Sequence, residues 1–323
     1  MIGFRYHVVS TVAAFLALTV GIVLGTTVLQ DPLLQRLTTD AAEQQERAQQ
    51  LQDERDLARE LTAGSGELLD AHAHDILAEH LAGVSVVLIE APGADGAIRT
   101  ELTERLEWAG GTVTGRISLT DTYVDPEESV FVDELTSQLA GGLELPERGT
   151  HLRAGTELAH ALLDDPDSGV EPAGFDPRAV LDGFAHAGLL TMAGEPAAAD
   201  IGVIIAADEE NEDPEEPEDT EEPTDSAAAL LDLGVALTEV GSSGAVVVGT
   251  PDTATEGLLQ RVHVEESRIT TVDVAGTPAG AVATTLAVAS TVDGRVGRYG
   301  IGDEAEAFHP DPASDGNSDR AAE

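Results

Sequence analysis

Residues Val8 to Leu29 form an uncharged run, VVSTVAAFLALTVGIVLGTTVL. A helix of that length spans about 33 Å, which matches the hydrocarbon core of a bilayer. The pattern predicts a membrane-spanning helix over 8–29 behind a short tail, 1–7. Residues 33–62 hold neither Gly nor Pro and predict one long helix. Spacing of three and four along it selects Leu37, Ala41, Gln44, Ala48, Leu51, Arg55 and Ala58. This is a coiled-coil-like seam, thin at its alanines and polar at Gln44 and Arg55, and it reads as a stalk. Gly64-Ser65-Gly66 is expected to break the helix, with a shorter one over 67–82 ending at Gly83.

From Val84 the period shifts. Val84 to Ile89 is a nearly continuous apolar strand of the kind buried in a parallel sheet. An amphipathic helix through Ile98, Leu102, Leu106 and Ala109 follows, then a strand from Thr112 to Leu119. Three helices are expected next, the first opening at Asp125-Pro126-Glu127, the others over Thr156–Leu163 and Pro177–Leu190. Strands at Ile201–Ile205, Ala245–Val248 and Ile269–Val274 then alternate with helices at Ala227–Val240, Thr253–Val264 and Ala279–Ala289. The expected fold class is α/β: a mostly parallel, five-strand, Rossmann-like sheet with helices, over residues 67–309. Asp208 to Asp225 interrupts it with twelve acidic residues and three prolines in eighteen positions. Such a segment cannot bury enough surface to fold and is expected to be a disordered insertion, as is the polar tail 310–323.

Composition narrows this picture. Aromatic content is 3% with one tryptophan, against 42% hydrophobic residues, so the core is built from Val, Leu, Ile and Ala. A membrane β-barrel with aromatic girdles is not expected. Net charge is −45, and all sixteen basic residues are Arg. That balance argues against nucleic acid or anionic lipid as a partner. No cysteine is present, which removes disulfides and thiolate metal sites. The apolar run exceeds a signal peptide's core, and LGTTVLQDP offers no small-x-small cleavage site, so an uncleaved signal anchor is the reading preferred. Arg5 and the free amine precede the run, while Asp31, Arg36 and Asp40 follow it. The bias places the N-terminus in the cytoplasm and the large domain outside it, on a single-pass protein of the cell membrane.

Candidate chemistry is sparse. Ala13, Ala17, Gly21 and Gly25 form a small-residue ridge, with Gly21 to Gly25 a GxxxG, which suits a homodimer through the anchor. HExxH, GxSxG, Walker and post-strand GxGxxG motifs are all missing, so no enzyme is expected and no catalytic or cofactor-binding residue is named. Ligands of open parallel sheets sit beyond the carboxyl ends of strands, here Glu90–Gly96, Leu119–Thr122, Ala206–Asp208 and Gly249–Asp252. The turn Ala91-Pro92-Gly93-Ala94-Asp95-Gly96 could receive an anion but carries Glu90 and Asp95 and no evident basic partner; a capped connecting turn is the better reading. The metal candidates are His72, His74 and His80, with Asp70, Asp75 and Glu79 nearby. His72 and His80 share a face of the expected helix but stand eight residues apart, too far for one ion, so solvated histidines are the plainer reading. The acidic run lacks the ligand order and turn glycine of a calcium loop.

The opening Arg5-Tyr6-His7-Val8-Val9-Ser10, running straight into the anchor, resembles the start of the MctB family of envelope copper transport proteins. Further matches are Leu81-Ala82-Gly83, Ala91-Pro92-Gly93-Ala94-Asp95, Gly110-Gly111-Thr112-Val113-Thr114-Gly115 and Val296-Gly297-Arg298-Tyr299-Gly300-Ile301-Gly302, in order along most of the chain. The resemblance implies a membrane location and a role in copper homeostasis, through efflux or tolerance, with copper as ligand. A second reading is a non-enzymatic envelope scaffold, binding a cell-wall or division partner through its stalk and α/β domain. A third is an enzyme using the crevice of the sheet.

Overall fold

The computed structural model describes residues 3–28, 30–147, 149–164, 174–207, 226–255, 257–265 and 267–311, with 3–5, 24–28, 30–43, 252 and 255 described by backbone only. Leu29, the acidic run 208–225 and the tail beyond Asp311 lie outside the described residues. Two compact units are present, Met1–Ser65 and Gly66–Glu323. The first contains α1 (Gly3–Val28) and most of α2 (Gln30–Leu77). Within α1, Tyr6–Val23 has a mean hydropathy of 1.9 and none of it is buried, making it the one helix among the described residues long and apolar enough to cross a membrane.

The second unit starts with the end of α2 and continues through β1 (Ser85–Glu90), α3 (Gly96–Trp108), β2 (Thr112–Leu119) and α4 (Asp121–Val124). A 3₁₀ turn, Pro126–Glu128, leads to α5 (Ser129–Leu139), α6 (Thr150–Leu162), α7 (Pro177–His186), β3 (Leu190–Met192) and β4 (Ile201–Ile205). Then come α8 (Ser226–Val240), β5 (Ala245–Val248), α9 (Pro251–Thr255), α10 (Leu258–Val264), β6 (Thr270–Val272), α11 (Pro278–Val292) and β7 (Arg298–Tyr299).

The strands form one sheet in the order β3-β2-β1-β4-β5-β6-β7. All neighbours run parallel except β2 and β3, which are antiparallel. The chain winds outward from β1 to β2, then returns to lay β4 on the other side of β1, so the winding reverses between β1 and β4. Alternate side chains serve opposite faces. Val87, Ile89, Ile117, Ile204 and Val247 pack under α4 to α8 and α10. Val86, Leu88, Val203, Val246 and Val272 pack under α3, α11 and residues 66–77 of α2. At the amino ends of β1 and β4, the Asp200 carboxylate accepts the Ser85 N–H at 2.7 Å and its hydroxyl at 2.6 Å, pinning their register.

An α/β body with an apolar N-terminal helix agrees with the expectation; the five-strand sheet does not. Among the described residues seven strands are present, and the sheet is mixed. Both extra strands are short outer ones. The helix expected over Pro177–Leu190 stops at His186, and Gly188, at φ +78, turns the chain into β3. β7 spans two half-buried residues and carries no apolar run. The expected break at Gly64-Ser65-Gly66 is also absent, because α2 runs through it. Packing outweighs the poor helix propensity of glycine here: Gly66 sits against Pro278, and Ala73 and Leu77 are fully buried. Burying a leucine is worth about 2 kcal/mol against roughly 1 kcal/mol per helical glycine. The helix expected over Thr253–Val264 is two, α9 and α10, separated at Gly257 with φ +91.

Candidate functional site

The carboxyl ends of β1, β2 and β4 meet around a crevice of about 410 Å³ at the reversal point of the sheet. Pro92 follows β1, Asp121 and Asp125 follow β2, Ala207 follows β4, and Ser226 and Leu230 come from α8. The two residues that flank the acidic run, Ala207 and Ser226, therefore both line it. No basic side chain does, among the described residues. Asp121 lies in the first turn of α4, and Asp125 accepts the Glu127 N–H at 2.8 Å. The lining thus favours a cation over an anion.

Behind it, the fully buried Tyr123 of α4 meets His151 edge-on, ring centroids 5.7 Å apart, and the His151 Nε2 lies 2.9 Å from the Tyr123 carbonyl. Burial pushes the Tyr123 hydroxyl above its ordinary value, with Asp232 adding to it. Asp232 of α8 accepts the Leu152 N–H near the start of α6; burial raises its carboxyl, against the charge of His151.

The turn after β1 is built as a capped connection. Asp95 caps α3 by accepting the Ala97 N–H at 2.8 Å, and Gly93 holds φ +78. Contrary to expectation, Glu90 does have a basic partner. It is 5% exposed, with Arg99 of α3 at 3.0 Å and the Ser118 hydroxyl at 2.7 Å. Sequence reading missed this pair because Arg99 lies nine residues on, across a turn.

The three histidines are brought to one stretch but not to one point. The helix expected to carry them to residue 82 ends at Leu77, so His80 does not share a helical face with His72. His80 lies in the following turn, its Nδ1 3.1 Å from the Leu77 carbonyl, where Glu79 adopts φ +68. His74 packs on Trp108 with centroids 6.0 Å apart. Trp108 also carries the Arg105 guanidinium 4.2 Å above its ring, and Arg105 pairs with Asp70. His72, His74 and His80 are all exposed. Among the described residues, no group of three or more His, Asp and Glu side chains gathers as a metal site. On α1, Ala13, Ala17 and Gly21 are exposed along the helix; the side-chain description stops before Gly25.

The glycine-rich stretch after α11 has a structural partner that spacing alone does not reveal. Asp273, the residue after β6, is 2% exposed. Its carboxylate accepts the Ile301 N–H at 2.8 Å and the Gly302 N–H at 2.9 Å. Gly300 holds φ +136, and a Cβ there would overlap that carboxylate. Nearby, the buried His263 Nε2 lies 2.8 Å from the Thr271 hydroxyl, and burial, with Arg298, lowers its proton affinity.

Among known proteins, the family described as "Copper transport outer membrane protein, MctB" matches residues 1–310. Similar curated proteins bear the name Copper transporter MctB. Those of Mycobacterium tuberculosis and Mycobacterium bovis are 30% identical over 164 residues, covering 51% of this chain and 49% of theirs. That of Mycobacterium leprae is 30% identical over 181 residues, covering 51% and 48%. The chain spans about half the length of the curated relatives it matches.

Proposed function

Because this chain belongs to the MctB copper transport family, we propose that it is a membrane-held envelope protein that acts in copper efflux or tolerance. Copper is its cargo here, not a resident cofactor. One observation carries the reading: the family match runs from the first residue to 310, joining the apolar helix α1 to the α/β body in a single unit of descent. α1 is a single-pass anchor, with the short Arg5-bearing tail in the cytoplasm and the body outside. The small-residue ridge Ala13, Ala17, Gly21 and Gly25 pairs two copies in the membrane, and residues 33–62 form the stalk.

The donors fit a cargo held weakly. Soft ligands are confined to Met1 and Met192, and the chain has no cysteine. His72, His74 and His80 offer separate imidazoles at the surface.

The test is a strain lacking the gene, scored for growth across a copper series and for cell-associated copper. Copper sensitivity and copper accumulation, both restored by the full chain, are expected. Unchanged tolerance and unchanged copper content would overturn the proposal. Protease added to spheroplasts should digest the body.

A second reading is an envelope scaffold with a protein partner. It is favoured by Leu57 and Leu61, which lie one turn apart on α2 and are 58% and 64% exposed. Crosslinking in membranes discriminates. A partner lost on substituting these leucines, in a strain of unaltered copper tolerance, supports the scaffold.

A further inference from the structure

Glu157 lies on α6, which packs against α5, α7 and α8. It is 0% exposed, and neither carboxyl oxygen has a hydrogen-bond partner. A native fold rarely leaves a buried carboxylate in that state, because a charge out of water needs either a counter-charge or several donors. The charge that acts on it is Arg153, one turn earlier on the same helix. Arg153 is already committed elsewhere: its guanidinium pairs with Asp133 of α5 and donates to the Ser137 hydroxyl at 3.1 Å. The other charged and titratable groups on the packed elements are Glu134 of α5, Arg178, Asp182 and His186 of α7, Asp232 and Glu239 of α8, and His151 and His160 of α6. None of them hydrogen-bonds to Glu157. Arg178 pairs with Glu195 at the surface, and His186 turns to its own Asp182 carbonyl.

We propose that Glu157 is a proton-operated latch for the helical layer α5–α6–α7. As a neutral acid it is accommodated among the apolar side chains of that layer. As a carboxylate it must reach water, and the layer must loosen to let it. Burial raises its carboxyl to about 8, with Arg153 opposing. Between the ordinary carboxylate range and that value, the closed layer holds a proton that the open layer lacks. Closure therefore weakens as pH rises through this window, and no further above it. On the same face of α6, one turn on, His160 and Ala161 line a groove of about 800 Å³ with Leu181 of α7, so loosening here would alter that groove.

Hydrogen exchange on the full chain in detergent tests this, with rates corrected for the intrinsic effect of pH. Between about pH 6 and about pH 9, amides of α5, α6 and α7 should lose at least about tenfold in protection, while those of α3 and α11 hold theirs. In Glu157→Gln the difference should vanish. Flat protection in the natural chain, or an equal loss in Glu157→Gln, would overturn the latch. Should Glu157→Gln not fold, infrared spectroscopy of the natural chain decides. A protonated-carboxyl band at neutral pH that disappears on alkaline titration and persists in Asp232→Asn supports the proposal; its absence, or its loss in Asp232→Asn, refutes it.

Discussion

Replacing Gly300 by Ala should cost far more than replacing Gly294 by Ala, although both glycines have positive φ, +136 and +81. At Gly294 a Cβ meets nothing within 4 Å. The substitution there carries only the left-handed backbone penalty, about 1 kcal/mol. At Gly300 the same Cβ collides with the Asp273 carboxylate, which holds the N–H groups of Ile301 and Gly302. Hydrogen bonds to a charged group contribute about 1.5–3 kcal/mol each, so displacing the carboxylate adds roughly 3 kcal/mol to the backbone penalty. Gly300→Ala should therefore lose about 4 kcal/mol and Gly294→Ala about 1 kcal/mol. Asp273→Asn, which keeps one acceptor oxygen, should fall between them. The assay is urea unfolding of the full chain in detergent. Trp108 is the one tryptophan, and it reports on the folded body through its contact with Arg105. If the two alanine variants unfold within about 0.5 kcal/mol of each other, the carboxylate does not hold this turn and the reasoning fails.

Three further outcomes follow from the same geometry. His263 prefers its neutral form when folded, so the unfolded chain binds the extra proton as pH falls below about 6.5. Stability should drop there, and His263→Gln should flatten that acid limb in unfolding curves taken from about pH 7 to about pH 5. Arg99→Met leaves the nearly buried Glu90 with only the Ser118 hydroxyl. Arg99 is itself a third exposed, so a loss of about 1–2 kcal/mol is expected, with Glu90→Gln in the same chain recovering part of it in a double-mutant cycle. Gly64→Ala, with open space around its Cβ, should raise the stability of α2 by about 0.5–1 kcal/mol. Gly66→Ala should not, since its Cβ would press on Pro278 at 3.3 Å; thermal melts followed by circular dichroism separate the two.

The parts of the fold legible in the sequence are those where one physical signal dominates. β4 and β5 coincide with the expected Ile201–Ile205 and Ala245–Val248, because strands covered on both faces must be apolar throughout. β3 and β7 were hidden because an outer strand needs no such run, and three or two residues set no period. The continuity of α2 was hidden for another reason. Gly64 and Gly66 signal a break locally, and only the docking of residues 66–77 overrules them. The end of that helix at Leu77 decides where His80 lies, and no residue type marks it. The glycines of 297–302 were visible as a motif, but their partner Asp273 lies 28 residues from Ile301 along the chain. Glu157 was the least legible of all. In an amphipathic helix a glutamate reads as a solvent-facing position, and only the packing of neighbouring helices reveals that it is enclosed.

The outermost strands have a bearing on crowding. If the bodies are tethered as proposed, neighbours meet often, and a long, flat sheet margin would invite them to fuse strand to strand. Here one margin offers three residues running against the grain of the sheet; the other is two residues long, and its outer side is already bridged by Ala307. Neither is a template on which a foreign chain could lengthen the sheet, so these bodies can be packed densely and still keep their folds separate.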